Sequence, residues 1–465
     1  MTKISSGEPV YYDDAVIFGD LDLASLPGAH VPVSFMFTNC TFANASFAAV
    51  TFDQDAIFWG TTFENARFDH ASFLGSADFA NVTFGNVSFS SAAFARPAMF
   101  DGSLFLENIS FEDAVFSEDA SFNHARFLET ANFNYSDFDS YSYFAYAQFS
   151  GDALFSDIDF SGPADFSNAS FANQAVFFAS RMKAPCFSGC IFTGPARFGL
   201  TGFSGLTSFG DAVFEDEANF VLARFSDAAY FSGADFRSLA LFGLTKFEDI
   251  VSFDGAKFSN DLNFKAASIS SLLFERAKLE ANSRIILNDT DFARFKAHWN
   301  AIEEHVVWLP GAYLALVENY RRLGWSVDED DCYYGYRWLD QSDKSWGWSK
   351  IIDMLSWLSC GYGVRPSYAV FWSLLTILAF GLIFWVGDGI RRSAKPLSEP
   401  AMDGSLPERA TLRNALFFST MIFLSQGPID FLPVGRHRYY VILEGILGWL
   451  LLALFLVTLG RVMIR

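Results

Sequence analysis

Two histidines seven residues apart, His298 and His305, with Glu304 beside the second, come nearest to a metal-ligand set. On a helix they would lie near one face, and imidazole with carboxylate can hold a metal. Two ordinary helix histidines are the simpler reading. The five cysteines, Cys40, Cys186, Cys190, Cys332 and Cys360, include no C-x-x-C pair. Cys186 and Cys190 have no second ligand pair nearby, so buried thiols in a reducing compartment are expected. His70 and His124 stand alone. No acid–base or nucleophile constellation appears, so no enzyme, cofactor or metal is expected. One ionisable group does stand out: Glu444, early in the apolar run "YYVILEGILGWLLLALFLVTLG". A carboxylate is costly there and marks a candidate functional position.

The elements that hold such residues follow from composition and period. The chain has 465 residues and a net charge of −21, with a mean hydropathy of +0.21. That length suits about two or three domains. Its acidity opposes binding to nucleic-acid phosphates, though not mimicry of them. Positive hydropathy alongside that charge implies an acidic soluble part joined to a very apolar one. The start, "MTKISSGEPVYYDDAV", has no apolar core of a signal peptide.

Phenylalanine, at 56 residues, carries the main signal. From Phe42 to Phe264 it recurs every five or six residues, with Met182 in one slot, and Ile269, Phe274 and Leu279 close the run. Two residues before most of these sits a small or β-branched residue, such as Ala45, Ala66, Ala120 or Thr201. Neither a helix of 3.6 residues per turn nor a strand of period two keeps such steps on one face. A solenoid does, with each Phe stacked over its equivalent in the next coil.

The segments "ANASF", "ENARF", "DHASF" and "DGAKF" resemble the pentapeptide-repeat family. That resemblance implies a right-handed, four-sided β-helix over residues 35–285, after an N-terminal cap at 1–34. The frequent sixth residue lengthens a coil to about 22 residues, with bulges at corners. Roughly 11 coils and a rod about 50 Å long are expected. A helical linker is expected over 286–360. Phe292, Phe295, Trp299, Ile302 and Val306 have helical spacing, and Pro310 opens a second helix ending at Gly324.

The last part, 361–465, holds two apolar runs, about 368–386, which is uncharged, and 440–460, which carries Glu444, each long enough to span a bilayer. Trp346, Trp348 and Trp357 precede the first, as interfacial aromatics do. Between the runs, about 411–424 is apolar and helical but short of a span. A half-span followed by non-helical backbone survives in a membrane only inside protein or beside water. Span, re-entrant helix, turn, span resembles the two-transmembrane potassium-channel pore family, over about 355–465. Its filter, TVGYGD followed by xxP, aligns with Ser425, Gln426, Gly427, Pro428, Ile429 and Asp430, followed by Pro433.

That filter departs from the pattern. Potassium selection stacks inward carbonyls, with glycines at positive φ. Pro428 fixes φ near −65° and Ile429 resists positive φ, so a pore not selective for potassium over sodium is expected. Mixed charge between the spans leaves anions open; the pore-helix C-terminus favours cations. Glu444 either pairs with the re-entrant loop or Arg438, or snorkels. Gly445 and Gly448 either pack helices closely or, by the resemblance, serve as a gating hinge.

"LSCGYGVRPSYAVFW", Leu358 to Trp372, contains Gly361-Tyr362-Gly363, the filter tripeptide of potassium channels, ahead of the first span. It reads as a turn: glycine ends one helix and Pro366 starts the next. The expectation is therefore a multidomain membrane protein: β-helix, helical linker and all-α pore-loop domain. The resemblance implies a subunit of a homotetrameric ion channel, whose partners are the lipid bilayer, permeant ions and its own copies, not nucleic acid. Both termini are expected to be cytoplasmic in the cell membrane, although Lys and Arg favour the inter-span loop, against the positive-inside tendency. A non-conducting membrane-anchored scaffold is the alternative. A DNA-mimic topoisomerase binder, as some acidic pentapeptide-repeat proteins are, ranks lower, because such mimics are soluble.

Overall fold

The structure is a computed structural model and describes residues 4, 6–25, 27–392, 410–427 and 431–463. The chain divides into two compact units, residues 1–319 and 320–465. Each is described by itself.

The first unit is a parallel β-solenoid of about 13 turns, more than the roughly 11 expected. Phenylalanines from successive coils stack face to face inside it. Phe105 and Phe127 lie 4.6 Å apart at 3°, and Phe127 and Phe149 repeat that geometry. Neighbouring columns meet edge on, as Phe122 and Phe133 do at 89°. Both arrangements suit the ring quadrupole.

The five- and six-residue steps have different structural roles. After alternate phenylalanines the chain turns with its second residue left-handed: Gly60, His70, Asn81, Gly102, His124 and Tyr135 all have positive φ. Those steps take five residues. The intervening corners are bends, and there the sixth residue is spent, as between Phe52 and Phe58. Where that corner also takes five, the strand runs straight through, as in Thr41–Ser46, Thr62–Arg67 and Thr83–Ser88.

The small residue after each left-handed position points inward. When it is Ser or Thr, its hydroxyl donates to a phenylalanine carbonyl of the preceding coil. Ser103 bonds Phe79 at 2.6 Å and Thr245 bonds Phe220 at 2.7 Å. The buried polar group is thereby satisfied. Cys190 occupies the same kind of slot, 2.9 Å from the Phe166 carbonyl, and burial pushes its thiol pKa well up. Cys40 sits likewise two residues before Phe42 and is buried.

Parallel pairing extends past both expected limits. Val10–Asp13 pairs with Phe35–Thr38, and Asp291–Lys296 pairs with Ser268–Leu273. The helix expected from Phe292 to Val306 is therefore corrected: its first part is a strand, and only Trp299–Ile302 (α1) is helical. A strand that runs through a corner buries positions three apart, as Phe42 and Ala45 show. Phe292 and Phe295 do the same, which imitates helical spacing. The last coil is closed by side chains and loop. Asn319 accepts from the Phe295 N–H at 2.8 Å and donates to its carbonyl at 2.7 Å, in place of a further strand. Ile285 bridges to Val306. Covering the edge in this way removes a template for unwanted pairing.

Further helices follow: Pro310–Leu323 (α2), Ser326–Asp343 (α3), Trp348–Cys360 (α4), Pro366–Val386 (α5), Leu412–Phe423 (α6) and His437–Met463 (α7). By length and composition, α5 and the stretch His437–Gly460 of α7 are apolar enough to cross a membrane.

Candidate functional site

The joint before α5 is built around Gly361-Tyr362-Gly363. All three residues have positive φ, at 54°, 57° and 82°. Gly361 caps α4, and Pro366 stands in the first turn of α5. Tyr362 is buried, and its hydroxyl donates to Gln341. The Arg337 guanidinium lies 5.3 Å from its ring centre, and the Tyr334 ring packs at 5.7 Å. Burial pushes the Tyr362 hydroxyl pKa up to about 12. Beside it, Asp353 accepts from Lys344 and from Arg337, each at 2.6 Å. The Lys344 hydrogen bond, with the Arg337 charge, holds the Asp353 carboxyl below its usual range. The tripeptide is thus a locked joint between helices, with its tyrosine turned into protein.

Helix α6 starts at Thr411, whose side chain accepts from the Asn414 N–H at 3.3 Å. Its 12 residues rise about 18 Å, short of a bilayer core of about 30 Å. Two glycines bring it close to α5 and α7. A Cβ on Gly381 would lie 2.6 Å from the Leu416 side chain, and one on Gly448 would lie 2.3 Å from the Phe423 carbonyl oxygen. Between them Phe380, Phe384, Ala415 and Phe418 form a buried cluster, with the Phe384 and Phe418 rings edge to face at 5.2 Å.

Glu444 is fully buried in this packing. One carboxyl oxygen is hydrogen bonded to the Ser419 hydroxyl of α6. That hydroxyl also lies 2.9 Å from the Ile377 carbonyl oxygen of α5. The exposed Arg438 is not the hydrogen-bonding partner. Gly448 is a close-packing position; around Gly445 a Cβ would meet open space.

After α6 the chain closes the helix end. Ser425 has a φ of 58°, its N–H donates to Ile422 at 2.9 Å, and the Gln426 N–H donates to Met421 at 2.8 Å. Ser425 and Gln426 therefore cap a helix, a task that left-handed positions commonly perform. Gly427 is exposed, has open space where a Cβ would sit and is not left-handed. Pro428, Ile429 and Asp430 lie outside the described residues. The chain resumes at Phe431–Pro433, paired antiparallel with Ile390–Arg392. Ser425, Gln426 and Gly427 border an open cavity of about 520 Å³ against Val441, Gly445 and Trp449 of α7.

The histidine pair does not form a ligand set. His298 precedes α1, and His305 lies beyond it with Nδ1 2.9 Å from the Ser283 carbonyl. Among the described residues no group of three or more His, Cys, Asp or Glu could hold a metal. Sequence reasoning missed Ser419 and Gly381. For Ser419 a signal was available: it shares the buried stripe of α6 with Ala415, Phe418 and Phe423.

Five segments, 58–104, 68–114, 100–148, 187–235 and 220–268, match the family model described as pentapeptide repeats (9 copies). The repeat unit fits that family by sequence and by fold. No curated protein matches the chain. A solved structure of QnrB1, a plasmid-mediated fluoroquinolone resistance protein, is similar at 14% identity, covering 57% of this chain and 89% of that chain, with a TM-score of 0.12.

Proposed function

We propose that the chain is a membrane channel subunit in which the pentapeptide-repeat rod is joined to a two-span pore-loop domain. The supporting observation is α6: a short apolar helix held between two span-length helices by glycine contacts at Gly381 and Gly448. A helix too short to cross, followed by non-helical backbone, needs protein or an aqueous path beside it. Among the described residues one chain has one such segment, so the pore is a closed ring of subunits, four by the resemblance. The rod and both termini are cytoplasmic in the cell membrane. Pro428 and Ile429 make the pore non-selective between potassium and sodium, carrying cations or, given the mixed charge near its mouth, anions. Planar-bilayer recording from the purified chain tests this, with ohmic currents expected.

The second reading is a non-conducting membrane-anchored scaffold. It is favoured by the capping role of Ser425 and Gln426, which uses part of the expected filter to end a helix. Silence under varied voltage, tension and pH would select it.

A further inference from the structure

Glu444 sits where a carboxylate has little to hold it. It is fully buried, and its Oε2 has no hydrogen-bond partner among the described residues. Its other oxygen meets the Ser419 hydroxyl, which also lies 2.9 Å from the Ile377 carbonyl oxygen. A hydroxyl carries one hydrogen, and a backbone carbonyl carries none. With Glu444 ionised, the carbonyl and the carboxylate would compete for that single hydrogen. One of the two contacts would then be oxygen against oxygen. With a proton on Glu444 both contacts are hydrogen bonds. The carboxyl O–H donates to Ser419, and the Ser419 O–H donates to Ile377.

Among the described residues no charged side chain, that of Arg391 included, is paired with Glu444 to substitute for that proton. Helix α5 has no charged residue, and α6 has only Arg413, exposed in its first turn. On α7, His437 and Arg438 lie about two turns before Glu444, and the His437 Nδ1 is 3.1 Å from the Val434 carbonyl. Helix α4, which also touches α7, carries Lys350 and Asp353. Asp353 is already held by Arg337 and Lys344, and Lys350 reaches the Lys344 carbonyl at 2.8 Å.

We propose that Glu444 and Ser419 form an internal proton-binding site that fastens α6 to both spans. The ligand is a proton taken from water; the carboxylate gains it and no other bond changes. Bound, it completes a chain from α7 through α6 to α5. Released, it leaves a buried charge short of partners, and α6 loosens together with the Ser425–Gly427 segment it carries. Proton binding here does not depend on whether the pore conducts.

Infrared difference spectroscopy on the full chain in liposomes tests the site. At neutral pH the wild type should show a protonated-carboxyl carbonyl band that is lost in E444Q and shifted in S419A. Alkaline pH should remove it. No such band at neutral pH, or a band unchanged in S419A, overturns the assignment. Hydrogen exchange reads the fastening. Residues 412–423 should exchange faster at alkaline pH in the wild type than in E444Q, whose amide still donates to Ser419. Equal exchange overturns the fastening. If E444Q does not insert, the band shift in S419A and its alkaline loss in the wild type decide the matter.

Discussion

Side chains in the solenoid have two ways of being buried, and each has its own cost when broken. Phe133 lies between Phe111 and Phe155, stacked at 4.9 Å on both sides. Phe133→Ala should lower rod stability by about 3–5 kcal/mol, read by chemical denaturation. The interior hydroxyls were half legible. The small residue two places before most Phe was evident from the repeat, but its bond to the preceding coil's carbonyl requires knowing which residues stack. Charge behaves differently. Asp353 has a carboxyl pKa lowered in the fold by Lys344 and Arg337. Its contribution is therefore present above the ordinary carboxylate range and lost as pH falls through the lowered folded value. In D353N that contribution is gone at neutral pH. The gap in melting temperature from the wild type should narrow as the medium is acidified, and a gap constant with pH would contradict the pairing.

Among the elements, the strands were legible because their period is unlike anything a helix or an amphipathic strand produces. The misreading at Phe292–Val306 has a physical cause: a strand passing straight through a corner buries residues three apart, the same interval as a helical face. The clue lay one coil earlier, in Ile269 and Leu272, which pair with Phe292 and Phe295. The solenoid end was not legible, because Asn319 acts through backbone groups 24 residues away. Replacing it (N319A) should leave the Phe295 N–H and C=O unsatisfied, at about 1–3 kcal/mol per group. Exchange of the Phe295 amide should rise while the central coils stay protected. The span-length helices were read directly from hydropathy. The glycine contacts that seat α6 were only half foreseen, in Gly448 and not in Gly381.

Taken as one chain, the protein combines an acidic rod with apolar helices, and a channel would need each on its own side of the membrane boundary. Under the proposed orientation the loop between α5 and α7 faces outside. A cysteine replacing Ser393 (S393C), in a background lacking the native cysteines, should react with an impermeant thiol reagent added to intact cells. Labelling only after permeabilisation would reverse the orientation. The Gly361-Tyr362-Gly363 tripeptide forms the joint between α4 and α5, its tyrosine buried and hydrogen bonded, while the segment between α6 and α7 begins with a helix cap at Ser425 and carries Pro428 and Ile429. Conduction and selectivity are decided together by single-channel recording from the reconstituted full chain in asymmetric KCl and NaCl. The expected result is a conducting pore whose reversal potential shifts little when sodium replaces potassium. A reversal potential that follows the potassium gradient, or no current at all, would contradict it.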